Sequence, residues 1–156
     1  MMHTWFECKI RYEKTMENGM NKKVTEPYLV DALSFTEAEA RIIEEMTPFI
    51  SGEFTVSDIK RANYSELFFS EEEAADRWFK CKLTFITLDE KNGAEKKTST
   101  NVLVQASDLR DAVKKLDEGM KGSMADYIIS SIAETAIMDV YPYSAEPDVK
   151  PVFPQA

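Results

Sequence analysis

Trp5-Phe6-Glu7-Cys8-Lys9-Ile10-Arg11-Tyr12 opens the chain, and Trp78-Phe79-Lys80-Cys81-Lys82-Leu83-Thr84-Phe85 restates it 73 residues later. Both octapeptides read Trp-Phe-x-Cys-Lys-aliphatic-x-aromatic. Within the first, Phe6, Cys8, Ile10 and Tyr12 alternate with Glu7, Lys9 and Arg11. A period of two is the mark of a β-strand with one face buried. Each copy is therefore expected to be a strand that opens one half of the molecule.

The residues around the first copy extend this into a unit. Asn18-Gly19 is a hairpin dipeptide, because both residues tolerate positive φ, and it predicts a return strand from about Asn21 to Asp31. Pro27 within that strand predicts an edge position or a local break in pairing. A helix follows, with Ser34 or Thr36 as its cap and Glu37 and Glu39 at the positive end of its dipole. Phe35, Ala38, Ile42 and Met46 give it an apolar stripe, and Pro48 and Gly52 end it. Residues 53–69 read as extended, either one long bent strand or two with a break near Ala62-Asn63. Glu71–Asp76 reads as an acidic connector.

The second half restates this plan. At an offset of 74, Asn92-Gly93 matches Asn18-Gly19, Lys96-Lys97 matches Lys22-Lys23, and Leu103-Val104 matches Leu29-Val30. Ser107 or Asp108 caps the second helix, with Leu109, Val113 (or Ala112) and Leu116 on its apolar side. Beyond the helices the offset returns to 73, bringing Ser130, Ile132 and Asp139 against Ser57, Ile59 and Glu66. Matches in fixed order along both halves indicate a tandem duplication. The expected fold is α+β, a strand–strand–helix–strand(s) unit used twice, with antiparallel sheets and one helix per repeat. The repeats span 3–70 and 77–143 and are expected to share one core with approximate two-fold symmetry. Residues 144–156, with three prolines, read as a flexible tail.

Composition narrows the function. With 44% hydrophobic and 30% charged residues the chain has the balance of a folded, soluble protein. No apolar run reaches the roughly 18–20 residues that span a bilayer. The N-terminus lacks a basic region followed by an apolar one, so the expected location is cytoplasmic. There Cys8 and Cys81 are expected to be buried free thiols rather than a disulfide. His3 is the single histidine and no Cys-x-x-Cys is present, so neither a metal nor another cofactor is expected. No glycine-rich phosphate loop and no nucleophile elbow occurs, so no catalytic residue is assigned.

The duplicated strand carries the candidate site. Its alternation puts Trp5, Lys9 and Arg11, and Trp78, Lys80, Lys82 and Thr84, on the face away from the core. The return strands add Lys23 and Thr25, then Lys97, Ser99 and Asn101. Indole stacking on bases contributes roughly 1–3 kcal/mol per base while lysines follow the phosphates. Lys60 and Arg61 are further candidate contacts. The net charge of −9 opposes a nucleic-acid ligand unless charge is segregated. It is partly so: residues 77–106 hold six cations against three carboxylates, and residues 34–46 hold one against four. The leading expectation is a non-enzymatic protein that binds single-stranded nucleic acid. The alternative is an adaptor or homodimer using the same tryptophan face.

The runs WFECKIRYEKT (5–15), VTEPYLVDALSFTEAEARIIEEM (24–46) and SDIKRANYSELFF (57–69) resemble a family of domains of unknown function from gut bacteria and their bacteriophages. The resemblance is close over 5–69 and extends to about Tyr143. Phage members of that family are assigned as single-stranded-DNA-binding proteins. The resemblance implies that role here and brings no catalytic residues with it. Single-strand-binding proteins also recruit replication partners through acidic tails. Glu146, Asp148 and Phe153 resemble such a tail, while Lys150 and the prolines depart from it.

Overall fold

A computed structural model describes residues 4–123 and 126–142. The proposed tail and His3 lie outside the described residues. Strands β1 (Trp5–Thr15) and β2 (Asn21–Asp31) form the first hairpin, in register from Trp5↔Asp31 to Thr15↔Asn21. Gly19 takes φ +82°, the left-handed conformation that suits glycine in a tight turn. Pro27 turns its carbonyl away from β1 to accept the Met138 N–H at 2.9 Å. Its missing N–H therefore falls on the outer side of β2 and takes no bond from the hairpin.

Helix α1 (Phe35–Met46) is capped by Ser34, whose hydroxyl accepts the Glu37 N–H at 3.1 Å. Glu37 reaches back to the Leu33 N–H at 3.0 Å, so the first turn and the residue leading into it are bonded reciprocally. Thr36 is the second residue of the helix and not its cap. Ala38, Ile42 and Met46 are buried against Phe6, Cys8, Ile10 and Val30. Phe35 stays half exposed, with its ring edge-to-face on Phe6 at 4.9 Å.

The extended segment is two strands, β3 (Phe54–Ala62) and β4 (Glu66–Phe68), separated by Asn63–Ser65. The second repeat gives β5 (Arg77–Leu88), β6 (Glu95–Ala106), α2 (Leu109–Gly119), β7 (Tyr127–Glu134) and β8 (Val140–Tyr141). Asp108 caps α2 by accepting the Asp111 N–H at 2.8 Å. Ala112 and Leu116 face the core of this repeat, whereas Leu109 and Val113 are exposed. The apolar stripe of α2 is thus narrower than its sequence suggests.

The connectivity departs from the expectation in one respect. The sheets run β3-β1-β2-β8 and β4-β6-β5-β7. The last strand of each repeat has been added to the sheet of the other, and both added strands run parallel to their neighbours. The sheets are therefore mixed rather than antiparallel. A strand delivered from the other repeat is free of the hairpin geometry that enforces antiparallel pairing. The exchange is reciprocal in register: Leu67↔Leu103 in one sheet corresponds to Val140↔Leu29 in the other.

Among the described residues the compact units consequently cut across the repeats, as 4–63 with 136–142, and 64–123 with 126–135. Two clusters of buried residues pack beneath the helices, one around Phe6, Ile10 and Ile42, the other around Phe79, Leu83 and Leu116. Cys8 and Cys81 are free thiols, one in each. Burial pushes Cys81 up to about 11. Burial, with Glu7 and Asp58 nearby, pushes Cys8 up to about 12. Both thiols are therefore poor nucleophiles at neutral pH.

Candidate functional site

The two tryptophans do not form the exposed platforms expected of them. Trp5 is 5% exposed and Trp78 is 3% exposed. Both lie on the sheet face opposite the helix, as the alternation requires, yet that end of each strand is closed to solvent. Leu29 and Leu103, one strand over on the same face, are fully buried as well. An indole in this setting contributes packing and offers no face to a base. Thr135 donates to the Trp78 carbonyl from both its N–H and its hydroxyl at 2.9 Å, and the Phe69 ring meets the indole edge-on at 5.5 Å.

Most charged candidates of the first sheet stand beside carboxylates. Along the open face β1 presents Glu7, Lys9, Arg11 and Glu13 in turn. Lys60 pairs with Glu7 at 3.8 Å. Lys9 is half buried and sits across from Asp58, and Lys23 is opposite Glu13. Arg11 is exposed between Thr25 and Thr55. Arg61 belongs to the other face, where its guanidinium lies 5.9 Å from the centre of the Phe6 ring. On this face Lys9, Arg11, Lys23 and Lys60 are thus interspersed with Glu7, Glu13 and Asp58, an alternation of signs that weakens the pull on an anion.

The second sheet differs in kind. No carboxylate occurs in Trp78–Leu88, Lys96–Gln105 or Tyr127–Ala133, the spans that make up β5, β6 and β7 away from their ends. Its face away from the helix runs Lys80 between the buried Leu103 and the exposed Ala133, then Lys82 between Asn101 and Ser131. Thr84 follows, its hydroxyl 2.6 Å from Ser130 and 3.4 Å from Ser99. Ile86 and Lys97 close the row. Lys80, Lys82 and Lys97 are exposed, and none is in an ion pair with a described residue. Three ammonium groups among hydroxyl and amide side chains, unopposed by carboxylates, make a strip able to hold a string of anions.

The asymmetry can be traced position by position. Glu7 of the first repeat is Lys80 in the second, Asp58 is Ser131, and Glu13 is replaced by Ile86. The hydroxyls of Ser130 and Ser131 come from a strand that sequence reading left outside the site. The signal that would have found them is the charge difference between matched positions of the two copies, which a search for shared residues passes over.

One backbone feature is duplicated with the site. In β3 the register slips between Lys9 and Ile10, leaving Ser57 as an extra residue, and in β7 it slips between Lys82 and Leu83, leaving Ser130. Each bulged serine is bonded back to its neighbour, Ser57 to the Lys9 carbonyl at 3.3 Å and Ser130 to Thr84. A bulge at the same place in both units fixes which side chains of the outer strand join the open face.

Among the described residues no group of three or more His, Cys, Asp or Glu is placed to hold a metal ion, and no helix is long and apolar enough to cross a membrane. No curated protein and no solved structure matches the chain. One family model does, over residues 4–143, and its description is domain of unknown function (DUF4494).

Proposed function

The chain belongs to the DUF4494 domain family, and for this member we propose non-catalytic binding of single-stranded nucleic acid along the open face of β5, β6 and β7. The observation that carries the reading is the strip of Lys80, Lys82 and Lys97, set among Asn101, Ser99 and Ser131 in strands that hold no carboxylate away from their ends. Phosphates would bridge the lysines, and the hydroxyl and amide groups would accept or donate to sugar and base edges. Ile86 and the half-exposed Ile128 offer apolar surface to bases in place of the buried indoles. The resemblance to a family whose phage members are assigned as single-stranded-DNA-binding proteins points the same way, and cytoplasmic action fits it. Trp5 and Trp78 enter this reading only as packing residues.

A deoxythymidine oligonucleotide carrying a fluorophore tests it by anisotropy. Binding at low salt is expected to weaken with a log–log salt slope of about −2, the value for three phosphate contacts on a single strand. Joint replacement of Lys80, Lys82 and Lys97 by alanine should abolish it. Absence of binding at low salt, or binding unchanged in the triple variant, rejects the reading.

A further inference from the structure

We propose that β7 is a self-association edge, through which two copies of this chain join their second sheets into one. β7 is the last strand of the order β4-β6-β5-β7 and has no strand on its outer side among the described residues. Exposed edges are ordinarily blunted by charge, because an unpaired row of N–H and C=O groups invites another strand. The matched edge β3 follows that rule, with Asp58, Lys60 and Arg61 along it. In β7 the corresponding residues are Ser131, Ala133 and Glu134. The strand YIISSIAE carries no charge before its last residue, and Ile128 and Ile129 are 52% and 37% exposed.

The occupant follows from the register. Paired antiparallel with its own copy about the Ser130–Ser131 bond, β7 sets Ile128 opposite Ala133, Ile129 opposite Ile132, and Tyr127 opposite Glu134. Ile128 and Ala133 both share the face of Thr84 and Lys80, while Ile129, Ile132, Tyr127 and Glu134 share the face of Leu83, Cys81, Phe85 and Phe79. Every side chain therefore meets one from the same face, despite the bulge. No like charges are brought together. The same operation on β3 would set Ser57 against Asp58 and crowd two copies of Asp58 at the centre. A second copy of this chain thus fits β7 by register and charge, and β3 is built against it. The joined sheet also places both lysine strips on one side, a consequence that rests on the function proposed above.

Light scattering on the full chain, without oligonucleotide, tests the association independently of any ligand. The unaltered chain should approach twice 17.8 kDa as concentration rises, and Ser131→Lys should remain at 17.8 kDa. Mixing Ser130→Cys with Ser131→Cys chains and oxidising mildly should give a covalent dimer, since Cys8 and Cys81 are buried. This arm decides the matter if Ser131→Lys fails to fold. A chain that stays at 17.8 kDa at all concentrations overturns the proposal. So does a dimer that Ser131→Lys leaves intact, or a cysteine pair that does not cross-link.

Discussion

Arg41 and Lys115 occupy the same place on their two helices, and each fastens the segment that follows the exchanged strand. Arg41 donates to the carbonyl of Pro142 at 3.1 Å, just past β8, and to the carbonyl of Asp31. Lys115 donates to Ser70 Oγ and to Glu72 at 2.8 Å, just past β4, and to Asp111 at 3.0 Å. The exchanged strands pair over only two and three residues. A charge-assisted bond from the helix is therefore a substantial part of what holds each one.

Removing that bond should loosen the exchanged strand measurably. Lys115→Met is expected to cost about 1–3 kcal/mol, the range for a hydrogen bond to a charged group that leaves its partners unsatisfied. The Lys115 and Asp111 side chains are 14% and 16% exposed, so solvent screening is limited there, whereas Glu72, at 61%, adds little. Lys114→Met, on an exposed neighbour, should stay within about 0.5 kcal/mol. Urea unfolding of the two variants makes the comparison.

Gly119 gives a test of opposite sign to helix propensity. It sits in the last turn of α2, where alanine ordinarily gains about 1 kcal/mol over glycine. A Cβ at this position would lie 2.9 Å from atoms of the Phe68 ring, on the exchanged strand β4. Gly119→Ala is therefore expected to destabilise, by about 1–3 kcal/mol as for other overpacked sites. A higher melting temperature for the variant would show that Phe68 yields freely.

Asp111 should contribute to the acid limb of stability. The Ser107 N–H, the Lys115 ammonium and the Ser107 hydroxyl hold its carboxyl below the usual carboxylate range. A folded-state value lower than the unfolded one adds stability that is fully present above the unfolded value. It is lost as pH falls through the folded one. Asp111→Asn should thus cost more at pH 7 than in acid, and the two stability profiles should converge as pH drops. Parallel profiles would remove the carboxylate from the pH dependence.

The two sheets should respond differently to loss of lysine. Lys9→Ala and Lys23→Ala, from the face where charges alternate, are expected to change oligonucleotide affinity less than about twofold. Lys80→Ala and Lys82→Ala should each reduce the salt slope by about 0.7, one phosphate contact on a single strand. Equal effects from both sheets would mean that charge compensation in the first does not matter.

The tryptophans should report structure instead of contact. Trp78→Ala is expected to cost about 3–5 kcal/mol, as for a large buried aromatic, and the emission of the intact chain should be that of shielded indoles. Strong quenching by added oligonucleotide at unchanged fold would contradict the burial of both rings.

Much of this molecule is local, and the sequence alone determined it. Period-two alternation gave β1 and β5 with their buried faces, Asn-Gly turns set the hairpins, and two candidate caps at each helix (Ser34 or Thr36, Ser107 or Asp108) bracketed the helix starts. The hairpin and capping bonds have partners within a few residues or across a tight turn, although β1 and β5 also pair with the distant β3 and β7. The duplication was legible because matched residues recur at a nearly constant offset.

Tertiary structure decided the rest. A strand of two or three residues such as β8 or β4 holds too little pattern to name its partner, so the exchange between sheets was invisible in one dimension. The burial of Trp5 and Trp78 depends on what closes over their end of the sheet, which alternation along a single strand does not encode. The carboxylate-free lysine strip draws on a hairpin and a third strand distant in sequence, and it exists only once register and bulge have brought Ser131 beside Lys82.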